Sequence, residues 1–255
     1  MIKNTIYNCI TDIKDYFIVK KYKHLLKNLK KFNAGEFGNI CYIIGCGPSL
    51  RVEDLDSIKN KYFSISSHRI YKIYGKTEWR PNLYIHQDEA LYRQAKEIVL
   101  LNSKLSQYCA FPEFYVKYDE IRDHHCYYFK LKKNPQKKLK LTNSFEDYIC
   151  NGSTITYTSI EIARLLGFNE IRLLGIDNTF KVYLNEKNQI VENNSIIEYY
   201  DETINNKNIN LPRPHLVKKS YEFLKSQSLI YNYRIFNYSK TSKLDIFERP
   251  DDYLL

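Results

Sequence analysis

The chain has 255 residues, enough for one large α/β domain with a short appendage, and a hydrophobic fraction of 44% supports a sizeable core. A formal charge of +10 points to anionic partners: nucleic acid, phosphate-bearing substrates or an acidic membrane surface. No apolar run approaches the about eighteen residues that span a bilayer, and six cysteines with no Cys-x-x-Cys pair and no secretory signal exclude a disulfide framework, leaving reduced, cytosolic thiols.

Residues 1–35 read as a basic amphipathic N-terminal helix. Ile2, Ile6, Ile10, Ile13, Phe17, Leu25, Leu26 and Leu29 recur at helical spacing, with Lys14, Lys20, Lys21, Lys23, Lys27, Lys30 and Lys31 between them. Such a helix lies on an anionic membrane surface, or it packs its stripe on the main domain and leaves the lysines in water. The nucleotide-binding domain is expected over 36–255.

The first predicted strand, Ile40–Ile44, stops at Gly45-Cys46-Gly47-Pro48-Ser49-Leu50. Strands follow at Tyr62–Ser66 and Leu83–Ile85, a helix from Glu89 to about Leu100, and a strand near Gln107–Phe111. Segment 117–148 is irregular and lysine-rich, a surface insertion. Within it, His124-His125-Cys126 suggests a metal cluster, but adjacent residues on a strand face opposite ways and rarely chelate one ion. No metal site is expected. Next come a helix over Thr154–Leu166 capped by Gly167, and a buried strand, Glu170–Leu174, ending in Gly175-Ile176-Asp177. A polar, Asn-rich loop or lid spans 185–212, His215 opens a helix to about Lys225, and "YRIFNYS" gives the last strand. Alternating strands and helices with apolar strands predict an α/β fold: a Rossmann-like, doubly wound, mainly parallel sheet with helices on both faces.

In such a sheet, ligands sit at the carboxyl ends of the strands. Four ends are chemically marked. At Gly45–Leu50, glycines let backbone amides meet a phosphate, and the next helix N-terminus adds positive charge. The turn is neither a Rossmann Gly-x-Gly-x-x-Gly nor a Walker loop, and its bland reading is a tight turn. Ser67 and His68 end the second strand. Asp88 follows the third, where a helix cap is the simpler role. Asn151, Gly152, Ser153 and Thr154 open a helix as a second anion-ready terminus, and Asp177 ends the strand after it.

"IIGCGPSL" together with "NGSTITYTSIEIARLLGFNEIRLLGID" resembles two related groups. One is the bacterial lipooligosaccharide sialyltransferases with the motility-associated flagellin glycosyltransferases. The other is the 6-hydroxymethylpterin diphosphokinase-like family, whose surface-polysaccharide branch is similar to "WRPNLYIHQD" and the "KLDIFERPDDYLL" tail. The likeness covers residues 38–255. It implies a nucleotide-binding transferase in which Gly45, Cys46, Gly47, Pro48, Ser49, Asn151, Gly152, Ser153 and Thr154 hold the donor phosphate, with Asp88 and Asp177 also at the nucleotide. Ser67 and His68 would contact the nucleoside, His215 would be the general base, and Tyr183 would bind the leaving phosphate. The family asparagine after the second strand is here His68, and Asn178 or Phe180 occupies the region of a second tyrosine.

The expected function is a glycosyltransferase of bacterial surface polysaccharide or lipooligosaccharide synthesis, using a nucleotide-sugar donor, preferentially a cytidine monophosphate sugar, and a glycan or glycolipid acceptor. No cofactor is required. The N-terminal helix would hold it, cytoplasmic and peripheral, at the anionic inner membrane. The alternative is a pyrophosphokinase in which Asp88 and Asp177 help hold Mg²⁺. Many lysines sit in two segments, 14–31 and 130–140, and do not line one aromatic-studded face, which argues against nucleic acid. Self-association into a homo-oligomer stays open.

Overall fold

The apolar runs of the chain pair into one sheet in which every neighbour is parallel. The computed structural model describes residues 13–33, 35–123, 125–132, 139–195 and 211–250. Its strands in chain order are β1 (Ile40–Ile44), β2 (Phe63–Ser67), β3 (Leu83–Ile85), β4 (Tyr108–Pro112), β5 (Cys126–Phe129), β6 (Leu131–Lys132), β7 (Ile149–Cys150), β8 (Glu170–Leu174), β9 (Val182–Leu184), β10 (Ile190–Glu192) and β11 (Arg234–Asn237). The helices are α1, described over 13–22, then α2 (Val52–Ile58), α3 (Glu89–Gln94), α4 (Lys96–Leu105), α5 (Ile155–Leu165) and α6 (Pro214–Gln227). The main sheet runs β11-β8-β1-β2-β3-β4-β5; β6 pairs with β7, and β9 with β10 as an antiparallel hairpin. The expected Rossmann-like architecture is present.

Alternation along β1 explains the two cores. Cys41 and Ile43 face one layer with Tyr157 and Ile160 of α5 and Val217 and Leu224 of α6. Tyr42 and Ile44 face the other, with Leu55 and Ile58 of α2, Tyr92 of α3 and Val99 of α4. Strand order reverses between β1 and β8, so the crevice for a ligand lies between their carboxyl ends.

Four expectations change. The "irregular" insertion contributes β5, the sheet's edge strand, which pairs with β4 through Cys109↔Cys126 to Pro112↔Phe129. The predicted 89–100 helix is two helices broken at Ala95 (φ −138°, ψ 43°). The N-terminal helix is present but ends early: α1 gives way to 3₁₀ turns at Lys23–Leu25 and Leu29–Lys31. Its apolar stripe is also divided between the core and solvent. Leu29 and Phe32 are buried in the core, Ile18, Tyr22 and Leu26 pack on it, and Asn28 bridges to Tyr128 of β5. Ile13, Tyr16 and Phe17, by contrast, are 55, 62 and 61% exposed. Ile2, Ile6 and Ile10 lie outside the described residues, as does His124. Among the described residues no helix is long and apolar enough to cross a membrane.

Candidate functional site

The turns that leave β1 and β8 are pressed together at the switch point. Gly45 N–H donates to Leu174 O at 2.8 Å, and Gly47 N–H to Gly175 O at 2.8 Å. Ser49 N–H donates to Asp177 Oδ2 at 2.9 Å. A Cβ on Gly47 would lie 2.2 Å from Asp177 Oδ2, and one on Gly45 would lie 2.4 Å from Gly175 O. The glycines are therefore required by the β8 turn, whatever ligand binds. This corrects the expected amide cradle: the N–H groups of Gly45, Gly47, Ser49 and Leu50 are engaged within the fold, and Cys46 N–H is the one that takes no partner among the described residues. Burial pushes the Cys46 thiol up to about 12, so it is no nucleophile at neutral pH. Pro48, with no N–H, shapes the turn without donating.

The next two strand ends are more structural than expected. Ser67 is buried and its carbonyl faces the Cys46 thiol at 3.8 Å. His68 sits in the left-handed region (φ 56°), with its carbonyl accepting from Tyr84 OH at 3.2 Å and Asn102 Nδ2 at 3.3 Å. Asp88 takes the simpler role: its Oδ1 caps α3 by accepting Leu91 N–H at 3.1 Å. Between them His86 is fully buried, with Nε2 2.9 Å from Asp88 O; burial, reinforced by His68, pushes it down to about 4, and it stays neutral.

Helices α5 and α6 run antiparallel to the strands they precede, so both N-termini point to this same edge. Thr154 caps α5 by accepting Thr156 N–H at 3.3 Å, and Asn151 Oδ1 accepts Ser153 N–H at 3.2 Å. Gly152 (φ 53°) is required by contact, since a Cβ there would meet Tyr157 Cγ at 2.1 Å. Ser220, midway along α6, donates to Gly152 O, tying α6 to the turn that opens α5. His215 is the second residue of α6, half-buried, and Leu184 N–H donates to Pro212 O at 2.9 Å. That bond brings the hairpin carrying Tyr183 beside the entry to α6. His215 and Tyr183, 32 residues apart, thus belong to one corner of the molecule.

Buried polar atoms without a partner call for an explanation. Among the described residues, Ser49 Oγ, His86 Nδ1, Gln87 Oε1, Asp177 Oδ1 and Asn178 Oδ1 are in this state and follow strands at the carboxyl edge, while others, such as Tyr128 Oη, Thr158 Oγ1 and Glu161 Oε2, lie elsewhere. A cavity of about 310 Å³ opens instead at the amino edge, among Lys59, Glu78, Arg80, Asn82 and Gln107. Its polar walls are bonded to one another, Lys59 to Glu78 at 2.6 Å and Asn82 to Gln107 at 3.0 Å. We place the candidate site at the carboxyl edge, where the strand order reverses and Ser49 Oγ, Asp177 Oδ1 and Asn178 Oδ1 lie on the two turns that meet there, whereas the groove's polar walls pair with one another.

The model for the family of 6-hydroxymethylpterin diphosphokinase MptE-like proteins matches residues 8–182, more than half of the chain. The chain belongs to this family. No curated protein sequence matches it significantly. Among solved structures, the Maf glycosyltransferase from Magnetospirillum magneticum AMB-1 superposes with a TM-score of 0.53 at 15% identity, over 89% of this chain and 35% of that one. This chain therefore spans about a third of that protein. The sialyltransferase CstII from Campylobacter jejuni, in complex with cytidine-5'-monophosphate, gives 0.50 at 15% identity over 86% of this chain and 88% of that one. The monofunctional α-2,3-sialyltransferase Cst-I of the same organism gives 0.53 at 15% identity over 90 and 85%. At these identities the likeness is one of fold.

Other members of the site carry no motif. Gly175 N–H donates to Ser239 Oγ at 2.8 Å, and Ser242 Oγ donates to Ile176 O at 2.8 Å. Arg249 donates in turn to the Ser239 carbonyl at 3.1 Å, so the stretch after β11 braces the β8 turn. Asn178, in the left-handed region (φ 53°), presents its unpaired Oδ1 beside Asp177. An Asn after a Gly-x-Asp strand end was the available signal for it.

Proposed function

We propose that this chain is a nucleotide-dependent transferase, and within that class a glycosyltransferase of bacterial surface polysaccharide or lipooligosaccharide assembly. The observation that carries this reading is the switch point itself, where Ser49 Oγ, Asp177 Oδ1 and Asn178 Oδ1 are buried without partners. Ribose hydroxyl or base N–H groups of a bound nucleotide would donate to the two side-chain oxygens, and its phosphate, near Cys46 N–H and the start of α5, would accept from the Ser49 hydroxyl. The fold shared with a cytidine monophosphate-bound sialyltransferase makes a cytidine monophosphate sugar the first donor to test. In this reading His215 takes the acceptor hydroxyl proton as the sugar leaves its phosphate, and Tyr183 donates to that phosphate. The exposed Ile13, Tyr16 and Phe17, with Lys14, Lys20 and Lys21 around them, would rest on an anionic inner membrane beside a glycolipid acceptor.

A second reading, a Mg²⁺-dependent pyrophosphokinase, is favoured by the family and by the two adjacent unpaired oxygens. Asp177 Oδ1 and Asn178 Oδ1 are hard ligands that fit Mg²⁺; Asp88, like Asp177, has one carboxylate oxygen engaged by a backbone N–H. Mg²⁺ held there would neutralise charge on a polyphosphate. The deciding experiment measures binding of cytidine, uridine, guanosine and adenosine nucleotides with and without Mg²⁺, then turnover in chelator. Cytidine nucleotide binding and sugar transfer that survive chelation support the glycosyltransferase. Adenosine triphosphate binding that needs both Mg²⁺ and the Asp177 carboxylate selects the pyrophosphokinase, and binding of no nucleotide sinks both.

A further inference from the structure

At the amino edge of the sheet, away from the carboxyl-edge site, the register of β4 and β5 sets Cys109 opposite Cys126, and His125 immediately precedes Cys126. One ligand atom from each of Cys109, His125 and Cys126 lies within 4.8 Å of the other two. The objection that neighbours on a strand face opposite ways does not apply here. His125 precedes the strand, and the third ligand comes from β4. We propose that Cys109, Cys126 and His125 form a structural zinc site, independent of the transfer reaction.

Tetrahedral zinc with bonds of about 2.3 Å to sulfur and about 2.0 Å to nitrogen sets its ligands roughly 3.6–3.8 Å apart. Closing the cluster to that size takes side-chain shifts of about 1 Å and leaves the strand register alone. Two thiolates and an imidazole select zinc over hard cations such as Mg²⁺ and Ca²⁺. The surroundings assign the ligand nitrogen. His125 Nδ1 lies 3.2 Å from Asp123 Oδ1, and Nε2 lies 3.2 Å from the carbonyl of Ser103. A neutral imidazole has one N–H for these two oxygens. With that N–H on Nδ1, Asp123 orients the ring as carboxylates do for metal-bound histidines, and Nε2 becomes the ligand. Ser103 O, or a water in its place, completes four-coordination. Charge also balances: two thiols release two protons, and the two thiolates cancel the ion's charge in a place where both cysteines are almost fully buried. The site would clamp β5, the sheet's edge strand, to β4.

The test uses the full chain, reduced and stripped with chelator, then titrated with Zn²⁺ and, separately, Co²⁺. We expect one zinc per chain, about two protons released per zinc near neutral pH, a higher melting temperature, and thiolate-to-cobalt charge transfer with the strong d–d bands of a tetrahedral site. Cys109→Ser should abolish the charge-transfer signature. Asp123→Asn, a milder change that keeps the ligands, should weaken zinc binding by about 10- to 100-fold with the spectrum retained. Failure of the wild-type chain to bind a stoichiometric ion, or a cobalt spectrum without thiolate bands, would overturn the proposal. So would zinc affinity unchanged in Asp123→Asn and His125→Gln.

Discussion

The two edges of the sheet are built by opposite means. At the carboxyl edge, backbone presses on backbone: Gly45 and Gly47 abut Gly175, and buried polar side chains at the strand ends are left without partners. At the amino edge the side chains complete one another, as Lys59 does with Glu78 and Asn82 with Gln107. The carboxyl edge at the switch point thus presents buried groups that a ligand could satisfy, whereas the polar walls of the amino-edge groove are already bonded to one another. Cavity size alone points the other way.

The hardest test of that contrast is His215→Ala. If the residue is the general base, turnover should fall by about 10²- to 10⁴-fold while nucleotide affinity, measured by calorimetry, changes by less than about twofold. Near-normal turnover with the true donor and acceptor would remove it from the mechanism. Next is Gly47→Ala, whose methyl group would collide with Asp177 and the Gly175 carbonyl. We expect a loss of about 3 kcal/mol, seen as a melting temperature lower by roughly 6–12 °C. Gly75, with nothing within 4 Å of its Cβ position, is the control and should tolerate alanine within about 1 kcal/mol. Equal melting of the two variants would mean that the turns are not packed as described.

Glu161 sharpens the contrast from a third place. It lies inside α5, its Oε1 accepts Thr142 N–H at 2.7 Å, and its Oε2 is unpaired although no ligand site is near. Here protonation is the explanation, because burial pushes the carboxyl up to about 7. Folding therefore takes up a proton. The contribution is full below the ordinary carboxylate range, is lost as pH rises toward 7, and is flat above it, a span of at most about 3 kcal/mol. Glu161→Gln should flatten the denaturation midpoint between pH 4.5 and 7; an unchanged slope would assign it to other groups. The smallest effect on stability belongs to Phe17→Asp, within about 0.5 kcal/mol for so exposed a residue. Sedimentation with anionic vesicles should nonetheless be lost, and wild-type binding should weaken with salt. Unchanged sedimentation would end the membrane reading.

Where order was local, the residues announced it. β1 and β8 are apolar runs halted by glycine, and α5 ends where Gly167 N–H bonds Arg164 O and Phe168 N–H bonds Ala163 O. Where order came from neighbours, they did not. β5 is four residues inside a lysine-rich stretch and becomes a strand because β4 and Asn28 flank it. The break at Ala95 has no glycine or proline to signal it. The same division runs through the site. The Gly-Cys-Gly-Pro-Ser-Leu turn and the start of α5 were legible as special backbone, but that Asp177 and Gly175 fill the space at Gly47 follows from strand order. Cys109 joins His125 and Cys126 only through the register of two strands.

The single bond from Leu184 N–H to Pro212 O closes the intervening chain into a ring. Its two ends, one leading from Tyr183 and the other into His215, are fixed to each other irrespective of the ring's contents. Doubling such a ring costs only about 0.6 kcal/mol of closure entropy. Segment 185–211 can thus be lengthened, shortened or rewritten at little cost while Tyr183 and His215 keep their places.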